Sequence, residues 1–200
     1  MPKLGMEPLR RAAVVDATID CIGRAGSLDV TVGQIARKAG VSTALAHHYF
    51  GAKDQIFLAA MRHILSQFSA AVRRELIGAQ TPRQRLDAIV RANFEGEQFQ
   101  APIVSAWLNF YLQAHHTPEA QRLLHVYQKR LRSNLLHDLR PLIGDDAETA
   151  AETIAALIDG IYIRAALGPE PLDGQAVVTR VLAVLDLLVG ATSVQGAGQC

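Results

Sequence analysis

The chain has 200 residues, 50% of them hydrophobic, which is enough to bury a sizeable core in one helical domain or in a small domain fused to a larger one. Its 20 basic and 19 acidic side chains nearly cancel, so the overall charge indicates neither nucleic acid nor an acidic partner. Two cysteines do not make a disulfide framework, and charged residues interrupt every long apolar stretch. With no leader in the sequence, we expect a soluble, cytoplasmic protein without a membrane partner.

Apolar residues recur with a helical period along nearly the whole chain, and no stretch alternates in the manner of a strand. The predicted fold class is therefore all-α. Proline and glycine mark the junctions between elements. In chain order, the predicted helices are residues 8–26, 31–40, 43–49, 53–76, 82–98, 102–115, 118–139, 145–167 and 173–188. Residues 192–200 are mostly small or polar, and we expect a disordered tail there.

The second and third predicted helices are short and meet at Gly40-Val41-Ser42. Thr31 precedes Gln34 by three residues, which is the spacing of a capping box, and Ser42 is placed to cap the next helix. This arrangement is typical of a helix-turn-helix, whose second helix enters the major groove of DNA. No acidic residue occurs between Thr31 and Lys53, as expected of a surface that faces phosphates.

The polar residues of this motif divide into two predicted roles. Thr43, His47 and His48 lie on the polar side of the second helix, within reach of base edges. Others carry hydroxyl or ammonium groups suited to holding phosphates, namely Thr31, Lys38, Tyr49 and Lys53. The complete predicted DNA-binding set is Thr31, Gln34, Lys38, Ser42, Thr43, Ala44, His47, His48, Tyr49 and Lys53.

The run from Thr31 to Ser42, with His48-Tyr49-Phe50 and Lys53 after it, resembles the DNA-binding domain of the TetR family of transcriptional repressors. Ala44 and His47 depart from the common pattern, which usually has Gly and often Tyr there, so the base preference is open. The resemblance implies an N-terminal three-helix DNA-binding domain followed by a larger helical domain for ligand binding and dimerisation. We assign residues 1–52 to the first, 53–191 to the second and 192–200 to the tail.

Segments outside the motif resemble the members of this family that repress choline uptake and glycine betaine synthesis genes. The matching segments are the opening residues 1–6, Ile35-Ala36-Arg37, Asn93-Phe94, Ala106-Trp107-Leu108, Arg130-Leu131, Ser133-Asn134-Leu135, residues 155–160, Leu167 and Pro171-Leu172-Asp173. The resemblance implies a homodimer that binds operator DNA, needs no cofactor and loosens its hold on DNA when choline is present.

Choline is a permanent cation with methyl groups and no N–H donor, so its site should offer aromatic faces and a carboxylate. Three predicted helices carry such groups. The predicted ligand-binding set is Phe94, Trp107, Phe110, Tyr111, Asp159 and Tyr162. Aromatic residues at helical spacing are also ordinary core residues. Asp159 has two further possible roles, an ion pair with Arg164 or a polar position at a subunit interface.

Two apolar stripes near the end of the chain predict a dimer interface, because pairing them across a two-fold axis would form a four-helix contact. The predicted interface residues are Ile154, Leu157, Ile158, Ile161, Val181 and Leu185. The long helix at residues 53–76 joins the DNA-binding part to the ligand-binding part. A tilt of that helix would change the separation of the two reading helices on DNA.

Three alternatives are an enzyme, a repressor of the same fold with another effector, and an interaction module. No catalytic spacing characteristic of an enzyme occurs, and the scattered histidines have no carboxylate or cysteine at a metal-ligand spacing, so we predict neither an active site nor a metal. A TetR-type repressor could instead respond to another cationic or apolar molecule, as in drug efflux or lipid metabolism. An interaction module that keeps the helix-turn-helix only as a scaffold would lack salt-dependent DNA affinity.

Overall fold

The computed structural model describes residues 5–196, with side chains described as far as residue 190. This part of the chain forms nine α-helices and no strand, which confirms the all-α prediction. The helices are α1 (Met6–Ala25), α2 (Val32–Lys38), α3 (Thr43–Phe50), α4 (Lys53–Leu76), α5 (Pro82–Phe94), α6 (Ala101–His116), α7 (Pro118–Ile143), α8 (Ala147–Leu167) and α9 (Gly174–Gly196). Short 3₁₀ turns occupy Gly96–Phe99 and Gly144–Asp146.

Local hydrogen bonds explain where the helix-turn-helix begins and turns. Thr31 and Gln34 form the predicted capping box, in which the Thr31 side chain accepts from the Gln34 amide and the Gln34 side chain accepts from the Thr31 amide. The Ser42 side chain accepts from the Leu45 amide at 3.1 Å and caps α3. Between the two helices, Gly40 has a φ of 68°, a left-handed conformation that glycine adopts without a steric cost.

Three helices end four or more residues from the end that the sequence predicts. α5 stops at Phe94 because Glu95 is extended and Gly96 has a φ of 63°. α7 continues past residue 139 to Ile143 with Pro141 inside its last turn, where proline removes a single backbone donor. α9 reaches Gly196 and so includes the first five residues of the predicted tail, since no proline interrupts it there. Residues 197–200 of that tail lie outside the described part of the chain.

The N-terminal helices rest on α6 through a close contact between backbones. A Cβ atom added to Gly23 of α1 would lie 2.5 Å from Pro102 at the start of α6, so only glycine allows this approach. The Ser105 hydroxyl donates to the Ile22 carbonyl and the Asn109 amide to the Gly26 carbonyl, both at 3.4 Å. Through these contacts α6 supports α1, on which α2 and α3 pack.

The remaining helices form one continuous core. α7 packs on α5, α6 and α8, and α6 also packs on α8. α9 covers α5 and α8, and α4 packs on α1 and α5. Within residues 5–196, no helix combines the length and the mean hydropathy needed to span a bilayer.

DNA-reading surface and aromatic cage

α3 turns one face to the core and the other to solvent. Ala46, on the inner face of α3, is fully buried. The side chains of Thr43, Ala44, His47 and His48 are exposed together, because residues one and four positions apart share a helix face. The structure therefore brings the three predicted base-reading side chains onto one surface.

His47 has a defined proton arrangement. Its Nδ1 atom lies 2.7 Å from the Gly51 carbonyl oxygen at the end of α3. A carbonyl oxygen can only accept, so Nδ1 carries the hydrogen and the Nε2 atom of the neutral ring is left as an acceptor. On an exposed face of α3, this acceptor is suited to the amino groups of cytosine or adenine in the major groove.

The predicted phosphate-binding residues occupy different environments. Thr31 and Gln34 are exposed and held to each other in the capping box, which leaves the Gln34 NH₂ group free to donate. Lys38 forms an ion pair with Asp20 of α1, and this hydrogen bond is the main cause that holds the pKa of Asp20 below its usual range. Part of the Lys38 charge is therefore neutralised before any DNA is bound.

Tyr49 and Lys53 are half-buried, and Tyr49 has a partner that the sequence analysis missed. The guanidinium of Arg11 on α1 lies 5.2 Å from the Tyr49 ring centroid and 5.1 Å from that of Phe50. Arg11 also pairs with Glu7 at 2.9 Å. Nothing in the sequence pattern links Arg11 to α3, because the contact depends on how α1 crosses it.

A second cluster lies in the body of the protein, around Trp107 of α6. The Trp107 ring centroid is 4.6 Å from that of Tyr127 on α7, 5.7 Å from that of Tyr111 on α6 and 5.9 Å from that of Tyr162 on α8. Three helices thus contribute four aromatic rings to one place. We call Trp107, Tyr111, Tyr127 and Tyr162, together with Asp159, the aromatic cage.

Asp159 is the acidic member of the cage. The Tyr111 hydroxyl donates to Asp159 Oδ1 at 2.9 Å, and Arg164 on the same helix is exposed. Burial raises the pKa of Asp159, and the hydrogen bond from Tyr111 opposes this shift. Burial and the nearby Asp159 charge also raise the pKa of Tyr111, Tyr127 and Tyr162, so the three phenols stay neutral. The cage thus contains four aromatic rings, three neutral hydroxyls and one carboxyl group. The Tyr162 hydroxyl donates to the Asn93 carbonyl at 2.5 Å and the Gln98 carbonyl at 3.2 Å.

Comparison with known proteins finds two family models that match this chain. Residues 14–60 match the bacterial regulatory proteins of the tetR family, and residues 82–190 match the C-terminal domain of the BetI-type transcriptional repressors. The chain belongs to the TetR family, in its BetI-type branch. Regulators of this family bind operator DNA and dimerise, so the protein is a transcriptional regulator and not an enzyme.

The similarity of this BetI-type chain to individual proteins covers most of its length. The HTH-type transcriptional regulator BetI of Agrobacterium fabrum is 52% identical over 86% of this chain and 84% of its own length. The BetI regulator of Rhizobium meliloti is 50% identical over 89% of this chain and 88% of its own. A transcriptional regulator from Saccharomonospora viridis, solved in complex with choline, shares the fold with a TM-score of 0.78 and 22% identity, over 88% of this chain and 95% of that one.

Sequence reasoning about this BetI-type regulator missed Tyr127. Its helix, α7, has no second aromatic residue near it, so Tyr127 looks like one member of an ordinary apolar stripe. Only the packing of α7 against α6 brings its ring to Trp107. No pattern within α7 alone could have identified it.

Phe94 and Phe110 lie behind the cage. Phe110 is fully buried, and its ring meets Phe57 of α4 and Trp107. Phe94 is also buried, with its ring against Phe99 and Tyr162. Phe110 thus packs against the Trp107 ring and Phe94 against the Tyr162 ring, and both hold neighbouring helices together. The alternative of ordinary core residues, which the sequence left open, describes these two positions.

The structure contradicts four of the six residues predicted for the dimer interface. Ile154, Ile158, Val181 and Leu185 are fully buried inside the protomer itself, and Leu157 and Ile161 are half-buried. The opposite faces of the two helices point outward. Their exposed small or apolar residues are Ala156, Ile163 and Leu167 on α8 and Ala176, Ala183 and Leu187 on α9. Both faces of these helices are apolar, so periodicity alone cannot tell the core from the interface.

Histidines and acidic residues do not converge elsewhere in the described part of the chain. No group of three or more His, Cys, Asp or Glu side chains there is arranged to hold a metal ion. The rings of His115 and His116 lie 5.0 Å apart at the end of α6, without a third ligand.

Proposed function

We propose that the protein is a repressor of choline uptake and glycine betaine synthesis genes, with choline as its inducer. The observation that carries this proposal is the aromatic cage, in which three tyrosine rings surround Trp107 and Asp159 accepts a hydrogen bond from Tyr111. The relatives named BetI and the sequence resemblance described above support the same ligand. A related fold solved with choline is consistent with it.

Each property of choline has a counterpart in the cage. The methyl groups of a quaternary ammonium carry the positive charge and favour the faces of tryptophan and tyrosine. The carboxyl group of Asp159 would add a direct attraction once ionised, in surroundings that screen charges poorly. The Tyr111 hydroxyl, which donates to Asp159, can in turn accept a hydrogen bond from the hydroxyl of choline. A neutral molecule of the same shape would lose the first two contributions.

The test compares choline with 3,3-dimethyl-1-butanol, which has the same shape without the charge. Calorimetric titration of the full-length dimer should give choline an affinity at least about tenfold higher, the equivalent of about 1.4 kcal/mol. Glycine betaine, which has a carboxylate in place of the hydroxymethyl group, should bind weakly because Asp159 repels it. Equal binding of choline and the neutral isostere would reject the cage as a cation site.

A parallel experiment follows DNA binding. Fluorescence anisotropy of a duplex from upstream of the protein's own gene, titrated with and without choline, should show specific binding that weakens with choline. Trp107→Ala should remove this response and leave operator affinity unchanged, because the ring of Trp107 contacts rings of α6, α7 and α8 and none of α3. Specific binding that ignores choline but responds to a different quaternary ammonium would reassign the effector to another cation. A duplex bound no better than a scrambled one would favour an interaction module instead.

The route from ligand to DNA in this proposal runs through α6. Trp107 and Tyr111 lie on α6, and the same helix contacts α1 through Pro102, Ser105 and Asn109. A shift of α6 on choline binding would carry the N-terminal helices with it. The long helix α4 offers a second route, because Gln55 in its first turn donates to Glu119 of α7 at 2.7 Å. Choline can change operator affinity only by as much as it prefers one arrangement of these helices.

A further inference from the structure

A groove about 700 Å³ in volume runs between α4 and α7. The two helices start together at the hydrogen bond between Gln55 and Glu119 and meet again where Phe68 packs on Tyr127, with ring centroids 6.0 Å apart. Each helix otherwise packs mainly on other partners, α4 on α1 and α5 and α7 on α5, α6 and α8. The space left between them is the groove.

The floor of the groove is apolar and its rim is basic. Leu65, Phe68 and Val72 of α4 and Leu123, Tyr127 and Leu131 of α7 line it. Arg62 and Arg73 of α4 and Arg130 of α7 stand at the edges and are exposed. No carboxylate lines the groove, and among the described residues none of these three arginines has an ion-pair partner.

The direction of the helices sets which charges face each other. α4 and α7 run the same way, since Gln55 pairs with Glu119 and Phe68 further on meets Tyr127. Arg73 and Arg130 therefore lie at similar levels on opposite rims, beyond the contact of the two rings. Arg62 lies eleven residues before Arg73, about 16 Å away along the helix. The groove has a doubly basic end and an apolar path leading from it.

We propose that this groove is a second effector site, which binds an anionic amphiphile with a carboxylate or phosphate head and an aliphatic tail. Guanidinium groups bind both kinds of head through paired hydrogen bonds, so Arg73 and Arg130 hold the head from the two rims. The tail lies along the apolar floor between α4 and α7. The site differs from the cage in charge, because the cage presents a carboxyl group and the groove presents arginines.

Tyr127 connects an occupant of the groove to the aromatic cage. Its ring lines the groove and also packs on Trp107, 4.6 Å away between ring centroids. An amphiphile that separates α4 from α7 therefore displaces one wall of the choline cage and the helix that leads to α3. This regulatory effect rests on the proposed function, whereas binding of the amphiphile does not. Coupling between the two ligands must be reciprocal.

The experiment titrates decanoate, decyl phosphate and neutral 1-decanol into the full-length dimer, below their aggregation limits. Binding is followed by calorimetry and by the fluorescence of Trp107, the only tryptophan of the chain. Both anions should bind more tightly than 1-decanol. In the Arg73→Gln/Arg130→Gln variant their affinity should fall about tenfold, as expected when charge-assisted hydrogen bonds are lost.

Arg74→Gln is the matched control, because Arg74 is an exposed neighbour on α4 that does not line the groove. It should change the affinity for either anion less than about twofold. Binding of only one anion would still support the site and would tell a fatty carboxylate from a phosphate monoester. Equal binding of 1-decanol, equal loss in Arg74→Gln or no binding of either anion would overturn the proposal.

A titration with choline separates this proposal from the previous one. The Arg73→Gln/Arg130→Gln variant should bind choline with an affinity within about twofold of the wild type, because neither arginine contacts the cage. Saturating choline should leave a site for the anions open. If choline competes them away completely, the anions occupy the cage and the second site is rejected. A failure of choline to bind at all would reject the proposed inducer and leave the groove to be judged on its own.

Discussion

At the scale of single residues, we predict that His47 sets part of the base preference of α3. Its Nδ1 atom donates to the Gly51 carbonyl, so Nε2 is the acceptor of the neutral imidazole. We predict that one base pair in each half-site must present an amino group, from cytosine or adenine, to this atom. His47→Ala should remove the preference at that pair at a cost of about 1 kcal/mol, while the salt dependence of binding stays the same.

The measurement is the anisotropy of a series of operator duplexes that differ at one base pair at a time. His125→Ala, an exposed histidine of α7, provides the control and should match the wild type on every duplex. A preference that persists in His47→Ala would assign the reading to Thr43 or His48 instead.

Asp159 makes the proposed choline response depend on pH. Burial raises its pKa in the free protein, and a bound cation favours the ionised form. Choline affinity should therefore fall as the pH drops through that raised pKa and level off above it, because protons compete with choline for the carboxylate. Tyr111, Tyr127 and Tyr162 face Asp159 and remain neutral over this range, and choline itself does not titrate.

Calorimetry from acidic to neutral pH checks this dependence. Asp159→Asn should bind choline about tenfold more weakly at neutral pH and should show little change with pH. A wild-type profile as flat as that of the variant would mean that the carboxyl group does not meet the ammonium.

At the scale of elements, the contact between α1 and α6 joins the cage to the DNA-reading helices. An added Cβ at Gly23 would lie 2.5 Å from two atoms of Pro102, so Gly23→Ala forces the helices apart. Overpacking of this kind costs about 1–3 kcal/mol, and we expect a lower free energy of unfolding together with a weaker choline effect on DNA binding.

Gly78→Ala is the control, since nothing lies within 4 Å of a Cβ there. Denaturant unfolding and operator anisotropy measure the two effects, and an unaltered choline response in Gly23→Ala would argue for the route through α4.

At the scale of the whole molecule, the outward faces of α8 and α9 are the surface on which we expect two protomers to pair. Leu187 is 73% exposed in the single chain and shares the outward face of α9 with the exposed Ala176 and Ala183, and a partner can cover such a continuous apolar face. Leu187→Glu should convert the dimer to a monomer, because pairing would bury the new charges close together. Light scattering after size-exclusion chromatography measures this. Ile77→Glu, at a position 85% exposed beyond the end of α4, should remain a dimer. A dimeric Leu187→Glu would place the interface elsewhere.

Local chemistry determined much of this protein in advance. The helical period, the capping box at Thr31 and the glycine turn at Gly40 predicted the helix-turn-helix, because these features depend on residues close together in the chain. Trp107, Tyr111, Asp159 and Tyr162 were predicted from residue type, and the structure brings them together.

Tertiary packing alone decided the rest. The way the helices cross places Tyr127 in the cage and Arg11 against Tyr49. It also places Phe94 and Phe110 behind the cage and not in it. Ile154 and Val181 became core residues for the same reason. α8 and α9 are apolar on more than one face, and a sequence period gives the spacing of such faces but not which neighbour covers each one. That choice depends on contacts between residues far apart in the chain.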